Sequence, residues 1–170
     1  MRSWIRLAVV LVVQLAILVV VPVGQVRARN RGTPITLRTA PVDPFDVLAG
    51  RYVTLAYEVE SVSAQHRSST FRDRQLVWLT VAEGDPVWTF VSVTAERPAP
   101  VPGQVSIRAR WDRWRARLED ASRFYVTEEV GRAVDARPRG QADLIDLRVA
   151  EDGTPAVMRL RGPGVDLRAE

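Results

Sequence analysis

The chain has 170 residues, 46% of them apolar and 26% charged, which fits one folded domain with an appendage and excludes a disordered chain. Cysteine and lysine are both absent, so a disulfide framework, a thiolate nucleophile, a cysteine zinc site and a serine-lysine dyad are excluded. Five of the 24 basic residues, all arginine (Arg2, Arg6, Arg27, Arg29, Arg31), flank the N-terminal apolar run, which leaves 19 arginines against 20 acids from residue 32 onward, a net −1 that excludes the global positive field of a nucleic-acid binder.

Residues 7 to 26 form a run of 20 uncharged positions that includes Gln14 near its middle and Pro22 near its end. As a helix this run reaches about 30 Å, the thickness of a bilayer's hydrocarbon core, and Trp4 sits where an interfacial aromatic belongs. Two fates are open for it: an uncleaved anchor, or a secretory signal with Val26 and Ala28 at the −3 and −1 positions of a cleavage site. The run is longer than a usual signal core of about 7 to 15 residues, which favours the anchor. Arginines on both flanks leave the positive-inside rule nearly undecided. The expected organisation is a transmembrane anchor with basic flanks over residues 1–29 and a β-rich domain over residues 30–170.

Beyond a short linker, Asn30 to Thr33, the chain breaks into segments of period two separated by Gly, Pro and Asp, which is a β pattern. Ile35 and Leu37 mark a first strand. Asp43-Pro44-Phe45-Asp46 reads as a helix start, with Asp43 as N-cap and Pro44 in the first turn, and Gly50 closes that stretch. Arg51 to Glu60 reads as one strand with Val53, Leu55, Tyr57 and Val59 on its buried face, and Ser61 to Arg74 as a long loop. Leu76 to Ala82 and Val87 to Thr94 make a hairpin, and the prolines at 98, 100 and 102 a stiff connector. Val105, Ile107, Ala109 and Trp111 alternate with polar residues in a further strand, and Arg123 to Thr127 is a short one. Leu144 to Val149 and Ala156 to Leu160 close the domain as a hairpin around the Asp152-Gly153 turn. The predicted fold is mainly β, a single antiparallel domain of about seven strands, sandwich or open barrel, behind one N-terminal transmembrane helix.

The stretch from Ala40 to Tyr57, with Pro41, Asp43, Pro44, Gly50, Tyr52, Leu55 and Tyr57 at its fixed points, resembles the signature of the GDYXXLXY family. Arg51 stands where that signature has Asp. A second block, Tyr125, Val126, Glu128 and Gly131, is similar to another stretch of the family, with Thr127 in place of an expected Pro. The resemblance extends over roughly residues 4 to 161. It implies a bacterial membrane-associated protein of unknown function, often encoded beside multi-spanning membrane proteins, with its domain on the outer side of the cytoplasmic membrane. It supplies no reaction, and the missing Asp favours a structural role for the signature.

Three chemical readings compete with that structural one. His66, the only histidine, precedes Ser68, Ser69 and Thr70 but lacks any nucleophile-elbow pattern. Asp43, Asp46 and Glu128 would be the acids of a metal- or carboxylate-dependent envelope hydrolase, whereas Glu119-Asp120 and Glu128-Glu129 would diverge if extended. Arg108, Arg110, Trp111, Arg113 and Trp114 form a candidate surface toward lipid head groups or a partner protein. No cofactor or metal is implied. The leading expectation is a non-enzymatic binding or accessory module for another membrane or envelope protein.

Overall fold

The computed structural model describes residues 2–40, 52–65, 71–125 and 143–168, and among them the fold is mainly β. A helix, α1 (Arg2–Arg31), leads through the single residue Gly32 into β1 (Thr33–Arg38). Then follow β2 (Tyr52–Thr54), helix α2 (Glu58–Gln65), β3 (Leu76–Ala82), β4 (Thr89–Thr94), β5 (Gln104–Asp112) and β6 (Arg115–Arg117). A 3-10 turn at Glu119–Ala121 precedes β7 (Arg123–Tyr125), β8 (Leu144–Val149), β9 (Pro155–Gly162) and β10 (Val165–Arg168).

Two four-stranded antiparallel sheets, ordered β1-β8-β9-β10 and β4-β3-β5-β6, and a two-stranded ribbon, β2-β7, contain all these strands. One core serves both large sheets: Ile35, Leu37, Ile145 and Leu147 from the first meet Val77, Leu79, Ile107 and Trp111 from the second. These are the inward residues of the predicted alternation, and a large apolar side chain fully removed from water contributes about 1.5–3 kcal/mol. The predicted hairpins form, β3 with β4 and β8 with β9, the latter turning at Gly153 with φ +83°. β10, beyond the last predicted strand, extends the sheet by pairing Val165 with Gly162.

Two predicted elements are corrected. The strand expected over Arg51 to Glu60 ends at Thr54, Tyr57 forms an isolated bridge to Thr39, and the chain turns helical at Glu58, so part of the expected loop is α2. Leu55, Tyr57 and Val59 are buried as the alternation requires. Their spacing also suits a bend into a helix whose first turn holds Glu58 and Glu60, where the helix dipole favours carboxylates. Glu119-Asp120 is not extended and forms the start of the 3-10 turn.

No flexible linker separates α1 from the domain. Ala28 is completely buried and its carbonyl accepts the Gly32 N–H at 2.9 Å. Arg148 Nη1 on β8 donates to the carbonyls of Arg29 and Asn30, and Gln25 Nε2 donates to the Pro155 carbonyl at 3.4 Å. The last turns of the helix are thus latched to the β8-β9 hairpin. Residues 7–18 of α1 are exposed and, Gln14 aside, apolar. Among the described residues no helix is long and apolar enough to cross a membrane.

Candidate functional site

The two blocks of the sequence signature meet in the fold. Tyr52 pairs with Tyr125, Val53 with Phe124 and Thr54 with Arg123 in the β2-β7 ribbon, so residues 69 to 73 positions apart become one antiparallel unit. The Leu55 N–H continues this seam by donating to the Ser122 carbonyl at 2.8 Å. Leu55 and Phe124 enter the core.

Tyr57 is the centre of the arrangement. Its side chain is 0% exposed, and its hydroxyl donates to the Ala121 carbonyl at 2.7 Å, supplying a partner at the end of the 3-10 turn. Burial, reinforced by the nearby negative charge of Glu60, raises the phenol well above its usual range and keeps it a neutral donor.

Beside it lies a polar cluster that sequence reading missed. Glu60 is 1% exposed, yet its Oε1 accepts the Leu118 N–H at 2.7 Å, and Oε2 faces the Tyr57 N–H at 3.5 Å. Ser63, equally buried, donates to the Glu60 carbonyl at 2.6 Å and accepts the Ala116 N–H at 2.9 Å. Glu60 and Ser63 stand one helical turn apart, on one face of α2, and together bind two backbone N–H groups on and just beyond β6. That strand is the edge of its sheet, and unpaired edge groups invite association with other chains, so α2 acts as its cover. The signal in the sequence was the i, i+3 spacing of Glu60 and Ser63 among the apolar Val59 and Val62. The continued period-two pattern concealed it.

Burial raises the Glu60 carboxyl above the ordinary glutamate range, opposed by the Leu118 N–H, the Arg115 charge, the Tyr57 N–H and the Arg117 charge. With the folded pKa above the unfolded one, the native state holds a proton that the unfolded chain has already released across the interval between them. The resulting stability is complete below the unfolded pKa, about 4.3, and is lost as pH rises through the folded value. Glu60→Gln keeps an Oε1 acceptor for Leu118 and removes this titration. Urea midpoints across a pH series should therefore fall less steeply with pH in the variant; parallel slopes would contradict the assignment.

The expected arginine-tryptophan surface divides. Trp111 is buried and packs on Phe71 with ring centroids 4.9 Å apart, so it belongs to the core and not to a lipid- or partner-facing patch. Its parity with Ile107 and Ala109 is the reason: all three lie on the inner face of β5. Arg110 pairs with Glu119 at 3.0 Å, and the Arg108 N–H donates to the Gly153 carbonyl at the tip of the β8-β9 hairpin. Arg113 takes a left-handed φ of +49° at the β5-β6 turn, where its N–H donates to Asp73, and Trp114 beside it is 46% exposed with the Arg115 guanidinium 5.1 Å from its ring centre.

Pro41, Asp43, Pro44, Asp46, Gly50, His66, Val126, Glu128 and Gly131 lie outside the described residues, which places the proposed hydrolase acids there too. Of the remaining signature positions, Tyr52 and Tyr125 are paired in the ribbon, and Leu55 and Tyr57 are buried. Among the described residues no group of three or more His, Asp or Glu side chains could hold a metal.

A model of the GDYXXLXY protein family matches residues 14–160 of this chain. No curated protein and no solved structure matches it.

Proposed function

Because this chain belongs to the GDYXXLXY family, we propose that it is a membrane-anchored, non-enzymatic β domain that docks on another membrane or envelope protein, such as a multi-spanning one, from the outer side of the cytoplasmic membrane. The observation that carries the reading is the fate of the signature. Leu55 and Tyr57 are consumed by the core, Tyr57 holds the Ala121 carbonyl, and the Glu60 carboxylate beside it is occupied by backbone N–H groups. A catalytic role would need such groups open to a substrate, whereas a scaffold needs them where they are.

Anchoring is supported by the 20-residue uncharged run of residues 7 to 26 and by the exposure of its apolar side chains over residues 7–18. Retention of the helix is supported by the use the domain makes of it: cutting after Ala28 would remove a fully buried residue together with the Gln25 contact to β9. A reporter enzyme active only outside the cytoplasm, fused after Glu170, should be active, and the full chain purified in mild detergent should bring a multi-spanning protein with it. A silent reporter beside an active cytosolic one, or a solitary monodisperse chain, would contradict the proposal.

A further inference from the structure

A cavity of about 360 Å³ opens on the solvent face of the β1-β8-β9-β10 sheet, within the range of roughly 300–1,000 Å³ typical of small-ligand sites. Its floor is one rung across all four strands, Thr36, Asp146, Arg159 and Arg168, which are consecutive partners in the register. Pro34, Trp88 and Met158 give it an apolar wall, and Arg148 closes one side. Three arginines against one acid leave the lining at a net +2. The acid is already engaged: Asp146 accepts the Thr36 hydroxyl at 2.9 Å and the Arg161 guanidinium at 2.5 Å. Arg159 is held by Asp166 through paired hydrogen bonds. Arg168 is exposed, and Arg148 spends only Nη1 on α1, where a guanidinium carries five N–H donors.

The place of Arg148 sets the depth of the cavity. It binds the carbonyls of Arg29 and Asn30, three and four residues past the end of the uncharged run at Val26, or about 4.5–6 Å along the helix. The head-group layer on each side of a bilayer is about 5–8 Å deep. If α1 leaves the hydrocarbon at Val26, the basic wall of the cavity stands among phosphates, and its apolar wall stands beside the upper acyl and glycerol region. We propose that this cavity holds the phosphate-bearing head group of an anionic phospholipid from the leaflet at which α1 emerges, with Arg148 and Arg168 as its cationic contacts. The inference rests on the anchored reading of α1.

The test uses the full chain in nanodiscs of mixed phosphatidylcholine and phosphatidylglycerol, with lipid retained after detergent extraction counted by native mass spectrometry. The wild-type chain should retain phosphatidylglycerol in excess of its bulk share, and Arg168→Ala should lower that retention about fivefold, the scale expected for one cation near an anionic surface. Arg72→Ala, an exposed arginine outside the cavity, should leave it unchanged. Equal loss in both variants, or no enrichment in the wild type, would overturn the site. Glycerol phosphate binding to the detergent-solubilised chain with the same dependence on Arg168 would move the anion's source into solution and overturn the lipid assignment. Failure of the chain to insert into nanodiscs would overturn the anchored reading itself, and this inference with it.

Discussion

Tyr57→Ala should cost about 3–5 kcal/mol of stability, and Tyr57→Phe about 1–2 kcal/mol. The two substitutions separate two physical terms. Alanine removes a fully buried ring from the middle of the core and leaves a cavity among Leu55, Phe124 and their neighbours. Phenylalanine keeps the ring and deletes only the hydroxyl, which leaves the buried Ala121 carbonyl without its 2.7 Å donor. Urea denaturation of the detergent-solubilised chain, followed by tryptophan fluorescence, measures both. A loss confined to Tyr57→Ala would assign the residue to packing alone. An unchanged midpoint in both variants would mean that the signature tyrosine is retained for something other than the fold.

The second large effect is expected at the junction of helix and sheet. A Cβ on Gly32 would lie 2.5 Å from the Ala28 carbonyl oxygen and 2.9 Å from backbone atoms of Val149, closer than real side chains come. All three neighbours are main chain and none can swing aside, so Gly32→Ala must push α1 away from β8. The cost should sit near the top of the overpacking range, about 3 kcal/mol. Gly103→Ala is the comparison: its φ is +75° with nothing within 4 Å of the added carbon, and backbone strain alone should cost about 1 kcal/mol. Thermal midpoints should rank the two in that order. Trypsin should also cut after Arg29 or Arg31 faster in Gly32→Ala, because the latch by Arg148 and Gln25 would be lost. Equal protease resistance would show that the helix end is not held as described.

The strands were legible because half-buried sheet writes itself as period two. Ile35 and Leu37, the β3 and β4 hairpin, and the Asp152-Gly153 turn all follow from local chemistry. The pairing of β1 with β8 was not legible, because the partners Thr33 and Val149 are joined only through the core they share. Helix α2 was hidden by its approach: Leu55, Tyr57 and Val59 keep the parity of a strand although the backbone turns helical at Glu58, and tertiary burial of Glu60 and Ser63 overrides their polar character. Trp111 leaves the arginine-tryptophan group for the opposite reason. The alternation of β5 already placed Trp111 inside with Ile107 and Ala109, and grouping it with its sequence neighbours ignored that parity.

The family signature itself was recognisable from Gly50, Tyr52, Leu55 and Tyr57, and its physical meaning came from the fold. Tyr52 and Tyr125, one from each block, face each other across one ribbon, and Tyr57 closes a turn 64 residues away. Such pairings have no trace in spacing.

Membrane anchoring by α1 is tested most directly by how the chain partitions. Membranes from cells producing it, washed in alkaline carbonate and sedimented, should retain the protein, whereas a chain with two arginines introduced at Val12 and Leu18 should be released into the supernatant. Release of the unaltered chain by the same wash would contradict the tether on which the proposed function depends.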